Sequence, residues 1–293
     1  MKKKIAIVTG GAGFIGSHLV DLLLKKKFVV RVIDNFSGGR KTNLSPHKNN
    51  PDLRIIKKDI TNLNGNEKFF ENIDYIFHFA GKGDIVPSIE NPEDYLTTNV
   101  SGTLKILIGS RKSPKLKKFV YAASSSCYGL AKTPTNENHP INTEYPYALS
   151  KYMGEMLCHH WQKVYNIPVN SIRIFNAYGP RVKTTGVYGA VFGVFLKQKL
   201  SNKPFTVVGT GNQKRDFLYV TDVADAFYRC AISKYVGQIY NLGAGKPNSI
   251  NKLIKIIKGD KIYLPKRPGE PDVTYADITK ISKHLNWKPK VSF

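Results

Sequence analysis

The chain has 293 residues, 45 Lys+Arg against 21 Asp+Glu, and a formal net charge of +24. That length suits one or two domains with a full hydrophobic core, and 41% hydrophobic residues is the composition of an ordinary globular protein, not a disordered or fibrous one. Apolar runs fall short of the roughly 18 residues a bilayer span needs, and the lysines lie in scattered clusters (2–4, 25–27, 57–58, 115–118) without a single basic arm, so neither membrane nor nucleic acid is expected as a partner.

In chain order, β-branched runs at 5–9, 29–33, 53–57, 75–79, 118–122 and 169–174 predict strands. Amphipathic stretches at 16–26, 95–111 and 146–165 predict helices between several of them. This alternation specifies an α/β fold with a doubly wound parallel sheet and helices on both faces. The lysines at 2–4 before the first strand superficially suggest a signal peptide, but the apolar stretch behind them is too short, so a cytoplasmic location is expected. Cys127, Cys158 and Cys230 are widely spaced and predict free thiols in a reducing compartment. Adjacent His159 and His160 point to different helix faces, and no metal site is expected. After about residue 175 the pattern loosens, which predicts a nucleotide-binding domain over 1–175 and a smaller ligand-facing α/β domain over 176–293.

The first strand runs into Thr9-Gly10-Gly11-Ala12-Gly13-Phe14-Ile15-Gly16 and then a helix. Gly10 permits the tight turn, Gly13 lets backbone approach a pyrophosphate, and Gly16 lets the helix pack closely on the strand. The positive helix end meets the phosphates. Asp34, closing the second strand, can bind both ribose hydroxyls and would repel a 2′-phosphate, which favours NAD; Arg40 and Lys41 leave NADP open. Asp59 is placed for the adenine edge or for an ordinary helix cap.

Ser124, Ser125 and Ser126 follow the fifth strand, at the carboxyl end where ligands bind in such sheets. Tyr147 and Lys151 are four apart and share a helix face that Pro146 opens. A phenol is a poor base at neutral pH, and an adjacent ammonium with the positive helix end favours its phenolate. Tyr147 is therefore a candidate base, Lys151 its activator, and Ser124 the partner of a reacting hydroxyl.

The motifs at 8–19, 78–81, 147–151, 173–181, 215–223 and 267–270 resemble, in order and over nearly the whole chain, the extended short-chain dehydrogenase/reductase family of NAD-dependent nucleotide-sugar epimerases and dehydratases. The resemblance implies a Rossmann domain, a segment near 216–243 that returns to it, and a C-terminal substrate domain. It implies cofactor contacts at Phe14, Ile15, Asn35, Ile60, Phe79, Ala80 and Asn99 besides those above. It also implies that Asn176, Arg215 and Arg267 hold the nucleotide diphosphate, that Arg181 is a further substrate contact, and that a homodimer forms through the helices at 95–111 and 146–165. Family dehydratases resemble Thr-Asp-Glu at the serine turn, and the sugar-acid decarboxylases also place a carboxylate there. Ser125 and Ser126 can serve neither reaction as acid or base, which points to inversion at carbon 4 of a nucleotide sugar, with uridine as the default base. A 4-ketose reductase of the same fold is the alternative; a non-catalytic dinucleotide-binding regulator has no need of the Ser124, Tyr147 and Lys151 set. Thr274 stands where members limited to glucose and galactose carry a bulky aromatic, which leaves room for an N-acetyl group; a one-residue slip would put Tyr275 there instead.

Overall fold

The computed structural model describes residues 2–184, 191–265 and 271–293. The first half reads β1 (Ile5–Thr9), α1 (Phe14–Lys25), β2 (Val29–Asp34), β3 (Leu53–Lys57), β4 (Tyr75–His78), α2 (Ile85–Glu90), α3 (Pro92–Leu96), α4 (Gly102–Ser110), β5 (Lys118–Ser124), α5 (Pro146–Tyr165) and β6 (Val169–Ile174). The second half adds β7 (Asn176–Tyr178), α6 (Val191–Leu200), β8 (Phe205–Val208), β9 (Lys214–Arg215), β10 (Phe217–Tyr219), α7 (Val220–Ile232), β11 (Ile239–Leu242), β12 (Asn248–Ser249), α8 (Ile250–Ile257), β13 (Lys261–Leu264) and α9 (Thr279–Leu285).

Seven strands form one parallel sheet in the order β11-β6-β5-β4-β1-β2-β3. β4 and β5 are buried along their whole length, as strands covered on both faces must be. On one face Leu19, Val20 and Leu23 of α1 pack with Val223 and Phe227 of α7 and with Trp287. On the other, Ile106 and Leu107 of α4 and Cys158 of α5 pack with Phe70, Ile73 and Phe119. Strand order reverses between β1 and β4, which opens a crevice at their carboxyl ends. α7 lies against α1, and β11 extends the sheet beside β6.

A separate apolar cluster of Phe195, Phe205, Val207, Phe217 and Leu253 gathers second-half elements. Their strands pair only as two-stranded ribbons, β7 with β10, β9 with β12 and β8 with β13. All three cysteines are free and buried.

Two helices differ in their match to expectation. α5 runs over the predicted residues, opened by Pro146 after extended Tyr145 and closed by Asn166 in the left-handed conformation. The helix expected over 95–111 runs without interruption to Ser110 but carries a π-helical turn: α3 ends at Leu96, the π turn covers Thr97–Ser101, and α4 begins at Gly102. The inserted turn holds Asn99, whose side chain bonds Lys82 backbone and the Ser150 hydroxyl. Such turns recur at functional sites.

Candidate active site

The Gly-rich turn is built by close contact. Gly10 has φ +66°, and a Cβ there would lie 2.7 Å from Ala80 N; a Cβ on Gly16 would lie 2.3 Å from Gly10 O. A side chain at either position would push α1 off β1 or close the crevice. Gly13 caps α1 without a side-chain partner, so the first-turn N–H groups around Phe14, Ile15 and Gly16 face the crevice as donors for an anion. Asp34 accepts Ala12 N–H (2.9 Å) and Phe36 N–H (2.8 Å), which braces the turn and leaves lone pairs on both oxygens for ribose hydroxyls. The residues present therefore fit a dinucleotide. Asp59 acts as the cap: its Oδ1 accepts Thr61 N–H, and its Oδ2 accepts Asn35 Nδ2 at 2.7 Å. Burial opposes its ionisation, but the bonds from Thr61 and Asn35 outweigh that and hold the carboxyl below its ordinary range. Ile60 is buried against Gly102, and the Phe79 ring packs 4.5 Å from that of Phe227.

A buried chain of hydrogen bonds joins the two sides of the crevice. Ala80 N–H donates to Thr9 Oγ1 (3.1 Å), which contacts His78 Nδ1 (2.6 Å); His78 Nε2 contacts Thr103 Oγ1 (2.9 Å), and Thr103 donates to Asn99 O (2.7 Å). Because the Thr103 hydroxyl proton is committed to Asn99, His78 must donate from Nε2 and accept at Nδ1. Burial, with the charge of Lys151 adding to it, pushes the imidazole pKa down to about 3, so the ring is neutral. The sequence reading quoted His78 in a motif but gave it no role; a polar residue closing a fully apolar strand was the available signal.

Ser124, Tyr147 and Lys151 converge at the crevice. Ser124 ends β5, accepts Ser126 N–H at 3.2 Å and hydrogen-bonds the Tyr147 phenol. Ser125 and Ser126 are half-buried beside it. Tyr147 opens α5, and its N–H donates to Ser88 Oγ (3.1 Å). The Lys151 ammonium is buried over the Tyr121 ring, 4.5 Å from its centroid, and the Tyr121 hydroxyl donates to Lys151 O. Burial pulls Lys151 down to about 8, against the charges of Cys158 and Glu155. In the protein alone burial raises the Tyr147 pKa, opposed by the bond from Ser124 and reinforced by Asp84 and Cys127. Desolvation disfavours the charged phenolate, and here it is the largest effect on this phenol.

The substrate candidates divide. Asn176 on β7 lies next to the chain bearing Arg215, its N–H bonding Asp216 O at 3.2 Å. Arg215 donates to Pro271 O at 2.9 Å, and Thr274 N–H bonds Lys214 O at 3.1 Å, so Arg215 and Thr274 share one wall. Arg267 lies outside the described residues. Arg181 forms an ion pair with Asp21 of α1, Nη1 lying 2.8 Å from Oδ2. Asp216 was missed by sequence reasoning although it adjoins Arg215. Fully buried, it accepts N–H groups from Ala244 (2.6 Å), Gly245 (3.2 Å) and Ala276 (2.9 Å), and so ties the loop after β11 and the segment at Ala276 to the chain between β9 and β10. A buried pair supports the serine turn from below. Arg173 meets Glu155 with both side chains 3% exposed, and it also donates to the Tyr128 hydroxyl at 2.7 Å.

Residues 6–243 match the family described as NAD dependent epimerase/dehydratase. The chain belongs to that family. It is 38% identical to a putative UDP-glucose 4-epimerase of Methanocaldococcus jannaschii, covering 97% of this chain and 93% of that protein. Among solved structures, a UDP-N-acetylglucosamine 4-epimerase from Methanobrevibacter ruminantium in complex with UDP-N-acetylmuramic acid superposes with a TM-score of 0.93 at 34% identity, over 99% of this chain and 94% of the other. A UDP-glucuronic acid 4-epimerase from Bacillus cereus, bound to UDP-glucuronic acid and NAD, gives 0.90 at 34% identity, over 98% and 95%. NAD is the cofactor of this family, and the fold is the Rossmann-type sheet of its relatives.

Proposed function

We propose that this enzyme inverts carbon 4 of a UDP-sugar, with NAD retained from one turnover to the next. The observation that carries the reading is the joining of Ser124, Tyr147 and Lys151 beside the NAD crevice, with Ser125 and Ser126 where elimination or decarboxylation would need a carboxyl group.

Tyr147 accepts the proton of the 4-hydroxyl, and the Ser124 hydroxyl holds that oxygen as it becomes a ketone. The chemistry contributed by bound NAD is hydride acceptance and return, together with a cationic ring near the phenol. That added charge, with Lys151, offsets the burial that raises Tyr147. The diphosphate stays on Asn176, Arg215 and, in the same proposal, Arg267, while the ketose turns its other face and takes back the proton from Tyr147. Residues 176–293, apart from the segment near 216–243, would supply this anchor, and 1–175 would hold NAD. Half-buried Thr274 supports acceptance of N-acetylated sugars. Leu149, Met156 and Val164 form an exposed apolar stripe along α5, which supports a homodimer through α5 and the helices at 95–111; a cytoplasmic location completes the proposal.

The test is to incubate purified, NAD-loaded protein with UDP-galactose and UDP-N-acetylgalactosamine and read carbon-4 configuration by NMR. Inversion is expected with both. Tyr147→Phe should lower turnover by about 100-fold or more while NAD stays bound. Inversion unimpaired in that variant refutes the mechanism, and no turnover of the acetylated sugar refutes the role given to Thr274.

A further inference from the structure

The segment between β4 and α2 wraps the catalytic pair. At its start, a Cβ on Gly81 would lie 3.7 Å from Lys151 Nζ. Just beyond it, within α2, Ser88 Oγ accepts Tyr147 N–H at 3.1 Å. In the middle, Gly83 O accepts the Tyr95 hydroxyl at 2.7 Å, and the Tyr95 ring lies 6.3 Å, edge-on, from that of Tyr147. Asp84 comes next, held at φ +80° and ψ +125°. A side-chain-bearing residue adopts such backbone only where its surroundings impose it, and these cases cluster at ligand sites.

The Asp84 carboxylate has no hydrogen bond or ion pair among the described residues, and a Cβ on neighbouring Gly83 would meet nothing within 4 Å. The loop thus carries an exposed acidic residue within electrostatic reach of Tyr147. Its charge acts on the Tyr147 and Tyr95 phenols, and Lys183 is the cation that acts on it. Relatives of this chain include proteins named for UDP-glucose and for UDP-glucuronate, substrates that differ in charge at carbon 6.

We propose that Asp84 sets substrate charge: placed beside Tyr147, it makes the pocket accept neutral hexoses and disfavour those carrying a carboxylate at carbon 6. This rests on the site being one for a nucleotide sugar. Were a substrate carboxylate to lie roughly 6–7 Å from Asp84, an effective dielectric of about 20 would weaken binding by about 30- to 100-fold.

The test titrates NAD-loaded protein with UDP-glucose and UDP-glucuronate calorimetrically, alongside turnover by NMR, for wild type and Asp84→Asn. Wild type should favour UDP-glucose by about 30-fold or more, and Asp84→Asn should shrink that ratio about tenfold or more. Asp84→Gly, which tolerates φ +80°, is the second variant should the first fold poorly, and it should shrink the ratio likewise. Equal affinities in wild type, or a ratio unmoved in both variants, overturns the role of Asp84 while inversion of UDP-glucose still stands. Failure to bind either sugar overturns the reading of the site and this proposal with it.

Discussion

Lys151 is where function works against stability, and Lys151→Met measures the conflict. Lys151 is 8% exposed, with Tyr121 beneath its ammonium and Asn99 near the same glycine, Gly81. Burial brings its pKa from 10.5 to about 8. At about 1.4 kcal/mol per pH unit, keeping it charged at neutral pH costs the cofactor-free fold about 3 kcal/mol. The folded value is the lower one, so the cost is full below about pH 8, shrinks as pH rises from there, and is gone above about 10.5. Met has similar length and no charge. At pH 7 the cofactor-free variant should melt about 5 °C or more above wild type, with its turnover lost. The gap should narrow at pH 9.5, where the wild-type ammonium is largely discharged in the fold. Differential scanning calorimetry at both pH values reads this. A variant no more stable than wild type at pH 7, or a gain that is the same at pH 9.5, would refute the reasoning.

Other perturbations probe the frame around the site. Gly16→Ala puts a methyl group 2.3 Å from Gly10 O; the strain of about 1–3 kcal/mol should weaken NAD binding about tenfold or more, read by calorimetry against an unchanged circular dichroism spectrum. Glu155→Ala strands the buried Arg173 cation, and urea denaturation should show a loss of about 3–5 kcal/mol.

What could be read in the sequence was whatever is local. The glycines of the turn, the apolar run of β1 and the Pro146 start of α5 each carry their signal within a few residues, and all stand where expected. Ser124, Tyr147 and Lys151 could be joined because one ends a strand and the others share a helix face. Long-range partners were not legible. The Asp21 carboxylate that takes Arg181, the Glu155 beneath the serine turn and the three amides on Asp216 lie far along the chain from what they hold. β9 and β12 are two residues each, too short to show an alternation. The π turn at Asn99 inserts one residue into a helical pattern without disturbing its apolar faces enough to mark it. Desolvation of Tyr147 depends on the closed pocket, so the sign of its pKa change could not be foreseen from the Lys151 spacing.

The central claim is that one hydride leaves carbon 4 and comes back to the same atom from the other side. UDP-glucose deuterated at carbon 4, incubated with the NAD-loaded protein in ordinary water, tests it in one NMR spectrum. The account predicts UDP-galactose that keeps its deuterium at carbon 4. Loss of the label to solvent, or an inverted product bearing hydrogen there, would contradict it.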